Sequence, residues 1–529
     1  MLHPSLATLR QPVTEGCTRP LAWRLEQLER LDRAIAQRRD AVLAALASDL
    51  GKPDVEAYYE LVAVQNELRL TRRHLKRWVA PRRAGLPLSL MPGRAELISE
   101  PLGCVLIIGP WNYPFNLSLQ PLVSALAAGN TAVLKPSEHA PATAALLAEL
   151  IGEAFPASTV QVVQGDGSAA AALLEQPFDH IFFTGGERVG RLVMAAAARH
   201  LTPVTLELGG KSPAVVLNDA DLGVTARRLV WGKTLNAGQT CIAPDYLLVQ
   251  RPIRDALIRA LTERIEACFG RDPLESPDLA RIVNASQFAR LQGLLEGARQ
   301  RGQVLHGGQC EAASLRIAPT LIGVTDPDDP LMQEELFGPL LPVLTVDDLD
   351  TAIASINSRP KPLALYLFSE NHHHQQTLLQ RTSSGGVAFN DVVLQVAVPD
   401  LPFGGVGASG MGAYHGKAGL TPSLTTARFY GAPSGWMPRS ATRPTPAGWP
   451  WCSACWAKPV MAVVDVDWHH WQIPVWCSQF SSRQRCAPPQ LPSSWLCCCP
   501  CRAWPARWWS SPAKPSPNSP SAMAPPPSG

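Results

Sequence analysis

An α/β fold built on a parallel sheet with right-handed crossovers is predicted, and three observations predict it. Short apolar runs, Val105-Leu-Ile-Ile108, Thr131-Ala-Val-Leu134, Val160-Gln-Val-Val163 and His180-Ile-Phe-Phe183, alternate with helical stretches. The alternation starts again near Pro213 and continues to about residue 395. The length of 529 residues exceeds one small core, so two or three domains are expected.

Residues 21 to 50 read as helices, because Leu25, Leu28, Leu31 and Ile35 recur near the helical period with charges on the other faces. A second helical stretch, Glu56 to Val79, ends in the basic cluster Arg72, Arg73, Lys76 and Arg77, which reads as a solvated face. Pro81 and Pro87 break that pattern, and residues 94 to 100 read as a strand. Between the apolar runs lie the helical segments Leu119 to Ala128, Pro141 to Ala154 and Ala169 to Leu174. The second series includes a helix from Ile253 to Phe269 and a strand from Leu363 to Phe368. No internal repeat is evident.

Composition excludes several classes of function. Hydrophobic content is 46%, ordinary for a globular chain, and the net charge of +3 gives no strong field for nucleic acid or an anionic membrane. The N-terminal residues carry no signal-peptide apolar core, and no apolar run is long enough to span a bilayer. Up to about residue 420 the cysteines are Cys17, Cys104, Cys241, Cys268 and Cys310, a scattered odd set that suits a reduced cytoplasm.

After about Gly419 the texture changes. Cys452, Cys455, Cys477, Cys486, Cys497, Cys498, Cys499 and Cys501 crowd this stretch with tryptophans, prolines and serines, and periodicity disappears. Residues 420–529 read as a low-complexity, disordered tail, and the abruptness suggests a shifted reading frame near residue 420.

One thiol and one carboxylate stand out chemically. Cys241 lies in Asn236-Ala-Gly-Gln-Thr-Cys-Ile-Ala-Pro-Asp245, and Glu207 lies in Leu206-Glu-Leu-Gly-Gly-Lys-Ser-Pro213. A lone cysteine is ordinarily a small buried hydrophobe. Framed by glycine and small polar residues, this one suits covalent catalysis: a thiolate adds to a carbonyl carbon, and a carboxylate activates the water that releases the product.

Seven strings occur in a fixed order: Pro110-Trp-Asn-Tyr-Pro-Phe115, Leu134-Lys-Pro-Ser-Glu138, Phe183-Thr-Gly-Gly186, Leu206-Glu-Leu-Gly-Gly210, Gly238-Gln-Thr-Cys241, Glu334-Glu-Leu-Phe-Gly-Pro339 and Pro402-Phe-Gly-Gly405. Together they resemble the aldehyde dehydrogenase superfamily over roughly residues 20 to 419. Ile242-Ala-Pro-Asp245 and Gly410-Met-Gly-Ala-Tyr-His-Gly416 resemble its class 3 branch of fatty and aromatic aldehyde dehydrogenases, in the look of bacterial members.

The resemblance implies a Rossmann-type dinucleotide-binding domain (1–80 and 101–207), an α/β catalytic domain (208–394) and a small bridging and oligomerisation element (81–100 and 395–419). It implies Cys241 as nucleophile, Glu207 as the water-activating base, and the Asn112 amide with the Cys241 N–H as oxyanion donors. Lys135 and Glu138 are expected at the adenosine ribose, Glu335 at the nicotinamide-side ribose, and Phe337 beside it. Gly185, Gly186 and Gly190 open the helix Arg191 to Ala198, where free N–H groups suit a pyrophosphate. A carboxylate at Glu138 favours NAD over NADP by like-charge repulsion, though class 3 relatives accept both. The expected reaction is oxidation of a medium- or long-chain aliphatic or aromatic aldehyde to the acid, in an apolar tunnel between the two large domains. A homodimer is expected, impaired here because the altered tail replaces a segment that completes the subunit contact. Two alternatives stay open: an acylating enzyme that passes the acyl group to coenzyme A or phosphate, and an inactive chain.

No metal site is expected. His372-His-His374 reads as a polar helix start, and Asp347, Asp348 and Asp350 as a helix N-cap cluster. Cys452, Cys455, Cys498 and Cys501 mimic zinc spacing around His469 and His470, and are not read as a site.

Overall fold

The computed structural model describes residues 5–431. The expected low-complexity tail and its cysteines beyond residue 431 lie outside the described residues.

Two parallel sheets organise the chain. The first has six strands in the order Gly410–Met411, Val204–Glu207, His180–Thr184, Cys104–Ile108, Thr131–Lys135 and Val160–Val162. All pair in parallel except Gly410–Met411, which runs antiparallel beside Val204–Glu207. The second has seven strands in the order Val304–His306, Thr320–Gly323, Leu340–Val346, Tyr246–Gln250, Pro213–Val216, Ala364–Phe368 and Gly386–Phe389. Here only Val304–His306 is antiparallel.

The apolar runs are buried on both faces, as parallel strands under helices must be. Side chains alternate between faces with the strand period of two. Leu106 and Ile108 pack with Val133, Ile181, Phe183 and Val193 on one side. Val105 and Ile107 pack with Leu122, Leu126 and Leu134 on the other. Burial of each large apolar side chain is worth about 1.5–3 kcal/mol, so a one-residue slip loses stability on both faces at once. A third apolar cluster fills the second sheet and its helices, from Ala214 to Val393.

Most elements fall where the periodicity puts them, and the departures have local causes. The stretch 21–50 is two helices, Leu21–Gln37 and Arg39–Leu50, broken at Arg38. A helix at Leu6–Thr14, capped by Ser5, precedes them and was not anticipated. The helix expected from Leu119 starts at Asn116, because Glu60 of another helix accepts the N–H groups of Phe115 and Asn116. No local signal announces that cap. Asp348 caps the helix Leu349–Asn357 by accepting from Thr351 N–H, and Asn371 caps His372–Arg381.

The boundary at residue 419 is corrected. Leu424–Gly431 is an eight-residue strand that pairs antiparallel with Arg94–Pro101, itself paired with Arg82–Ala84, in a third sheet. The ordered fold therefore continues a dozen residues (420–431) into the stretch assigned to the tail. Gly410–Met411, assigned to the bridging element, belongs to the first sheet.

Candidate active site

The motif residues gather at one edge of the first sheet. Ile108 runs into Gly109-Pro-Trp-Asn112, Lys135 and Glu207 are the last residues of their strands, and Thr184 leads into Gly185 and Gly186. These are carboxyl ends, where open parallel sheets form ligand crevices. The second sheet contributes its amino ends: Cys241 precedes Tyr246–Gln250, and Glu335 and Phe337 precede Leu340–Val346. Only residues 208–212 separate Val204–Glu207 from Pro213–Val216, so the two edges abut.

Glu207 is 2% exposed, and among the described residues neither carboxyl oxygen has a hydrogen-bond partner. Burial holds its pKa well above the ordinary carboxylate range. Cys241 is partly buried beside it. Burial first, then the charges of Glu335 and Glu207, push the thiol far above its usual range, against the pull of the Cys241 and Ile242 backbone N–H groups. Burial therefore opposes ionisation of both the Glu207 carboxyl and the Cys241 thiol.

Asn112 is 4% exposed and donates from Nδ2 to the carbonyl of Gln239 at 3.0 Å, two residues before the cysteine. That bond uses one of the two amide hydrogens and leaves the other for a ligand. Asn236 Nδ2 donates in turn to the Asn112 carbonyl at 2.9 Å. Asn236 and Ala237 hold the left-handed conformation (φ 51° and 52°), a strain that non-glycine residues store mainly at functional turns.

The residues expected to hold a dinucleotide fit one. Lys135 Nζ meets Glu138 Oε2 at 2.7 Å, with Lys135 buried and Glu138 partly exposed at the rim. Burial opposes ionisation of Glu138, but the Lys135 ammonium and backbone N–H groups hold its pKa below the ordinary range. Gly186 caps the helix Glu187–Ala198 and is exposed, with no atom within 4 Å of where a Cβ would stand, so the helix N-terminus is open to an anion. Gly185 abuts the Phe183 ring. Gly190 lies inside the helix, buried, where a Cβ would stand 2.7 Å from Leu208 Cδ2. Its missing side chain lets the helix pack closely on Leu208. Glu335 is raised to about 8 by burial and by Asp245, against the Gly210 N–H, Lys211 and Lys233. Phe337, in the left-handed region at φ 48°, packs edge-on against Trp111 at 5.2 Å between centroids. Exposed Glu334 takes no part beyond its carbonyl, which accepts from Lys211 Nζ.

Comparison with known proteins decides the family. The profile of the aldehyde dehydrogenase family matches residues 15–427. The chain belongs to that family. Aldehyde dehydrogenase family 3 member H1 of Arabidopsis thaliana is 47% identical over 411 residues, 77% of this chain and 85% of the relative. The rat "aldehyde dehydrogenase, dimeric NADP-preferring" is 48% identical over 409 residues, 77% of this chain and 89% of the relative. A substrate-bound AldH structure from Staphylococcus aureus superposes with a TM-score of 0.80 at 42% identity, covering 82% of this chain and 94% of that one. A betaine aldehyde dehydrogenase from the same organism, in complex with NAD+, gives a TM-score of 0.74 at 26% identity, covering 82% and 89%.

This family member also buries polar residues around the site to which the motifs gave no role. Lys211 Nζ pairs with Asp245 Oδ2 at 2.5 Å, and Asp245 Oδ1 accepts from Leu336 N–H, bracing the Glu335 loop. Tyr366 donates to the Ile242 carbonyl at 2.5 Å and accepts from Gln395 Nε2, tying the cysteine loop to residues 393–395. Tyr113 and Thr240 share a hydrogen bond of 2.8 Å. Glu56 accepts from Asn236 N–H at 2.8 Å and is pushed to about 7 by burial, against that bond and Lys52. Their common signal is burial, which a single sequence does not carry for a polar residue. Among the described residues, no helix is long and apolar enough to cross a membrane, and no three His, Cys, Asp or Glu side chains form a metal cluster.

Gly209 offers a direct test of the Glu335 carboxyl. A Cβ there would stand 2.1 Å from Glu335 Oε2. The carboxyl ends a flexible chain, so Gly209→Ala folds but displaces it. The expected result is an approximately tenfold weaker dinucleotide Kd, about 1.4 kcal/mol, with the melting temperature little changed. Fluorescence titration with NADH reads it, and an unchanged Kd removes Glu335 from the dinucleotide site.

Proposed function

We propose that this chain oxidises medium- or long-chain aliphatic or aromatic aldehydes to carboxylic acids, with NAD or NADP as the electron acceptor. One observation carries the reading: Glu207 is a buried carboxyl with no hydrogen-bond partner among the described residues, and its charge bears on the Cys241 thiol. A carboxyl kept only for stability would be hydrogen-bonded, because an unsatisfied buried polar group costs about 1–3 kcal/mol. Apolar side chains packed about the same core as Cys241 include Trp231, Phe389, Val396 and Phe403, which suits an apolar aldehyde.

Lys135, Glu138, the open N-terminus at Gly186, Glu335 and Phe337 would hold the dinucleotide; bound and oxidised, it supplies the hydride acceptor. The remaining chemistry belongs to the chain. Cys241 gives up its proton to solvent and its sulfur adds to the aldehyde carbon, forming the oxyanion of a thiohemiacetal. The second Asn112 amide hydrogen and the Cys241 N–H stabilise the oxyanion. Loss of hydride from that carbon leaves a thioester on sulfur. Glu207 takes a proton from water, the water oxygen adds to the carbonyl, and the thiolate leaves with the acid released. The first sheet and its helices form the dinucleotide-binding part, and the second sheet carries the nucleophile.

A cytoplasmic homodimer completes the proposal. The five cysteines of the described residues are free, and the rat relative is named as dimeric. The composition change after about Gly419 is ascribed to a shifted reading frame near residue 420, which sequencing the locus tests. The activity test is an assay of decanal and benzaldehyde with NAD and NADP, without coenzyme A or phosphate. Reduced dinucleotide and carboxylic acid are expected in equal amounts. A requirement for coenzyme A or phosphate makes the enzyme acylating, and dinucleotide binding without turnover makes the chain inactive.

A further inference from the structure

The helix Asp54–Trp78 carries buried glutamates on one face. Glu56, Glu60 and Glu67 are spaced four and seven residues apart, and each accepts a backbone N–H from a different segment of the chain. Glu56 takes Asn236, Glu60 takes Phe115 and Asn116, and Glu67 takes Gly416. Lys52 lies just ahead of this helix, between Gly51, the left-handed cap of Arg39–Leu50, and Pro53. Its side chain and that of Glu60 are both 0% exposed, with Lys52 Nζ 2.5 Å from Glu60 Oε1.

The ammonium does more than neutralise Glu60. It donates to the Asn112 carbonyl at 2.8 Å and lies 4.0 Å from the centre of the Tyr113 ring. The same carbonyl accepts from Asn236 Nδ2. Asn112 is therefore held at three points: its carbonyl by Lys52 and Asn236, its amide by the Gln239 carbonyl, and the chain beyond it by Glu60. A buried ion pair is weak evidence for stability, since desolvation offsets attraction. One that also grips the peptide carrying an oxyanion donor has a geometric use.

We propose that Lys52, seated on Glu60, is a positioning residue that holds the Asn112 peptide so that its free amide hydrogen meets the oxyanion formed on the substrate. This rests on the reading of Asn112 as an oxyanion donor. Lys52 touches neither sulfur nor the reacting carbon, so removing it should slow thiohemiacetal formation while leaving the thiol and the dinucleotide site intact.

The test compares wild type, Lys52→Met, Lys52→Gln and the double variant Lys52→Met/Glu60→Gln, all with benzaldehyde and NAD. Lys52→Met alone strands the Glu60 carboxylate, so the double variant, which removes both charges, keeps the test valid if the single one unfolds. The pre-steady-state burst of NADH should fall about 10- to 100-fold in Lys52→Met and in the double variant, the cost of a small misplacement. The KM for benzaldehyde, the NAD Kd and the rate of Cys241 alkylation by iodoacetamide should stay within about threefold. Lys52→Gln, which keeps an N–H donor, should recover part of the burst. A wild-type burst in a folded double variant overturns the proposal. So does a double variant that fails to fold, which would assign the pair to stability, or alkylation that slows in step with the burst. Failure of wild type to form NADH and benzoate at all would instead sink the oxidation reading itself.

Discussion

Cys241→Ala is expected to abolish aldehyde oxidation, lowering kcat by more than about a thousandfold, while dinucleotide affinity stays within about twofold. No other group at this edge of the sheet replaces the sulfur. Glu207 and Glu335 are held toward their neutral forms by burial, and the Tyr113 hydroxyl is pushed up by burial and hydrogen-bonded to Thr240. The loss of one partly buried sulfur leaves the loop bonds through Asn236, Gln239 and Tyr366 in place, so the variant should fold. Alkylation of wild-type Cys241 gives the accompanying pH dependence. Its acid form is stabilised in the folded site, so the reactive thiolate grows about tenfold for each pH unit below the raised pKa. Iodoacetamide should therefore react slowly with the free chain at neutral pH and faster as pH rises. A positive charge brought near the sulfur lowers its pKa, so NAD should speed alkylation and NADH should not. Undiminished turnover in a folded alanine variant would remove the nucleophile from the proposal.

What was legible beforehand divides along physical lines. Strands buried on both faces advertise themselves: Val105 to Ile108 and Thr131 to Leu134 are apolar at every position or nearly so, and they pair in register as neighbours. The seven motif strings were legible as a set, and the fold brings six of them to two abutting sheet edges. Buried charge was not legible. Glu56, Glu60 and Glu67 have the spacing of an ordinary polar helix face, and nothing local says that each meets a backbone N–H far along the chain. The start of the helix at Asn116 depends on that contact, which is why it was placed too late. The packing of Gly190 was hidden for a related reason: its neighbour in space, Leu208, lies eighteen residues on. The strand Leu424–Gly431 was assigned to the tail because the local composition had changed, while its partner, Arg94–Pro101, lies more than three hundred residues earlier.

Glu207→Gln is expected to separate the two halves of the reaction. The amide is nearly isosteric, and it replaces a carboxyl whose ionisation burial already opposes, so stability should change by less than about 1 kcal/mol. Asn112, Cys241 and the groups at the dinucleotide site are unaltered, so one equivalent of NADH should still form quickly. The next step needs a proton acceptor for water, which an amide is not. Steady-state turnover should then fall about 10²- to 10⁴-fold. Rapid quenching and intact-mass measurement should show the chain carrying the acyl group. In wild type the rate of acid release should climb with pH, because only the ionised carboxyl accepts a proton and burial has moved its ionisation upward. In Glu207→Gln that rate should be flat. Coenzyme A makes the comparison sharper. Its thiolate attacks the thioester without help from Glu207, so it should discharge the stalled variant while adding little to wild type. If the variant accumulates no acyl adduct and turns over normally, the orphan carboxyl is not the base, and hydrolysis must depend on another group at this edge.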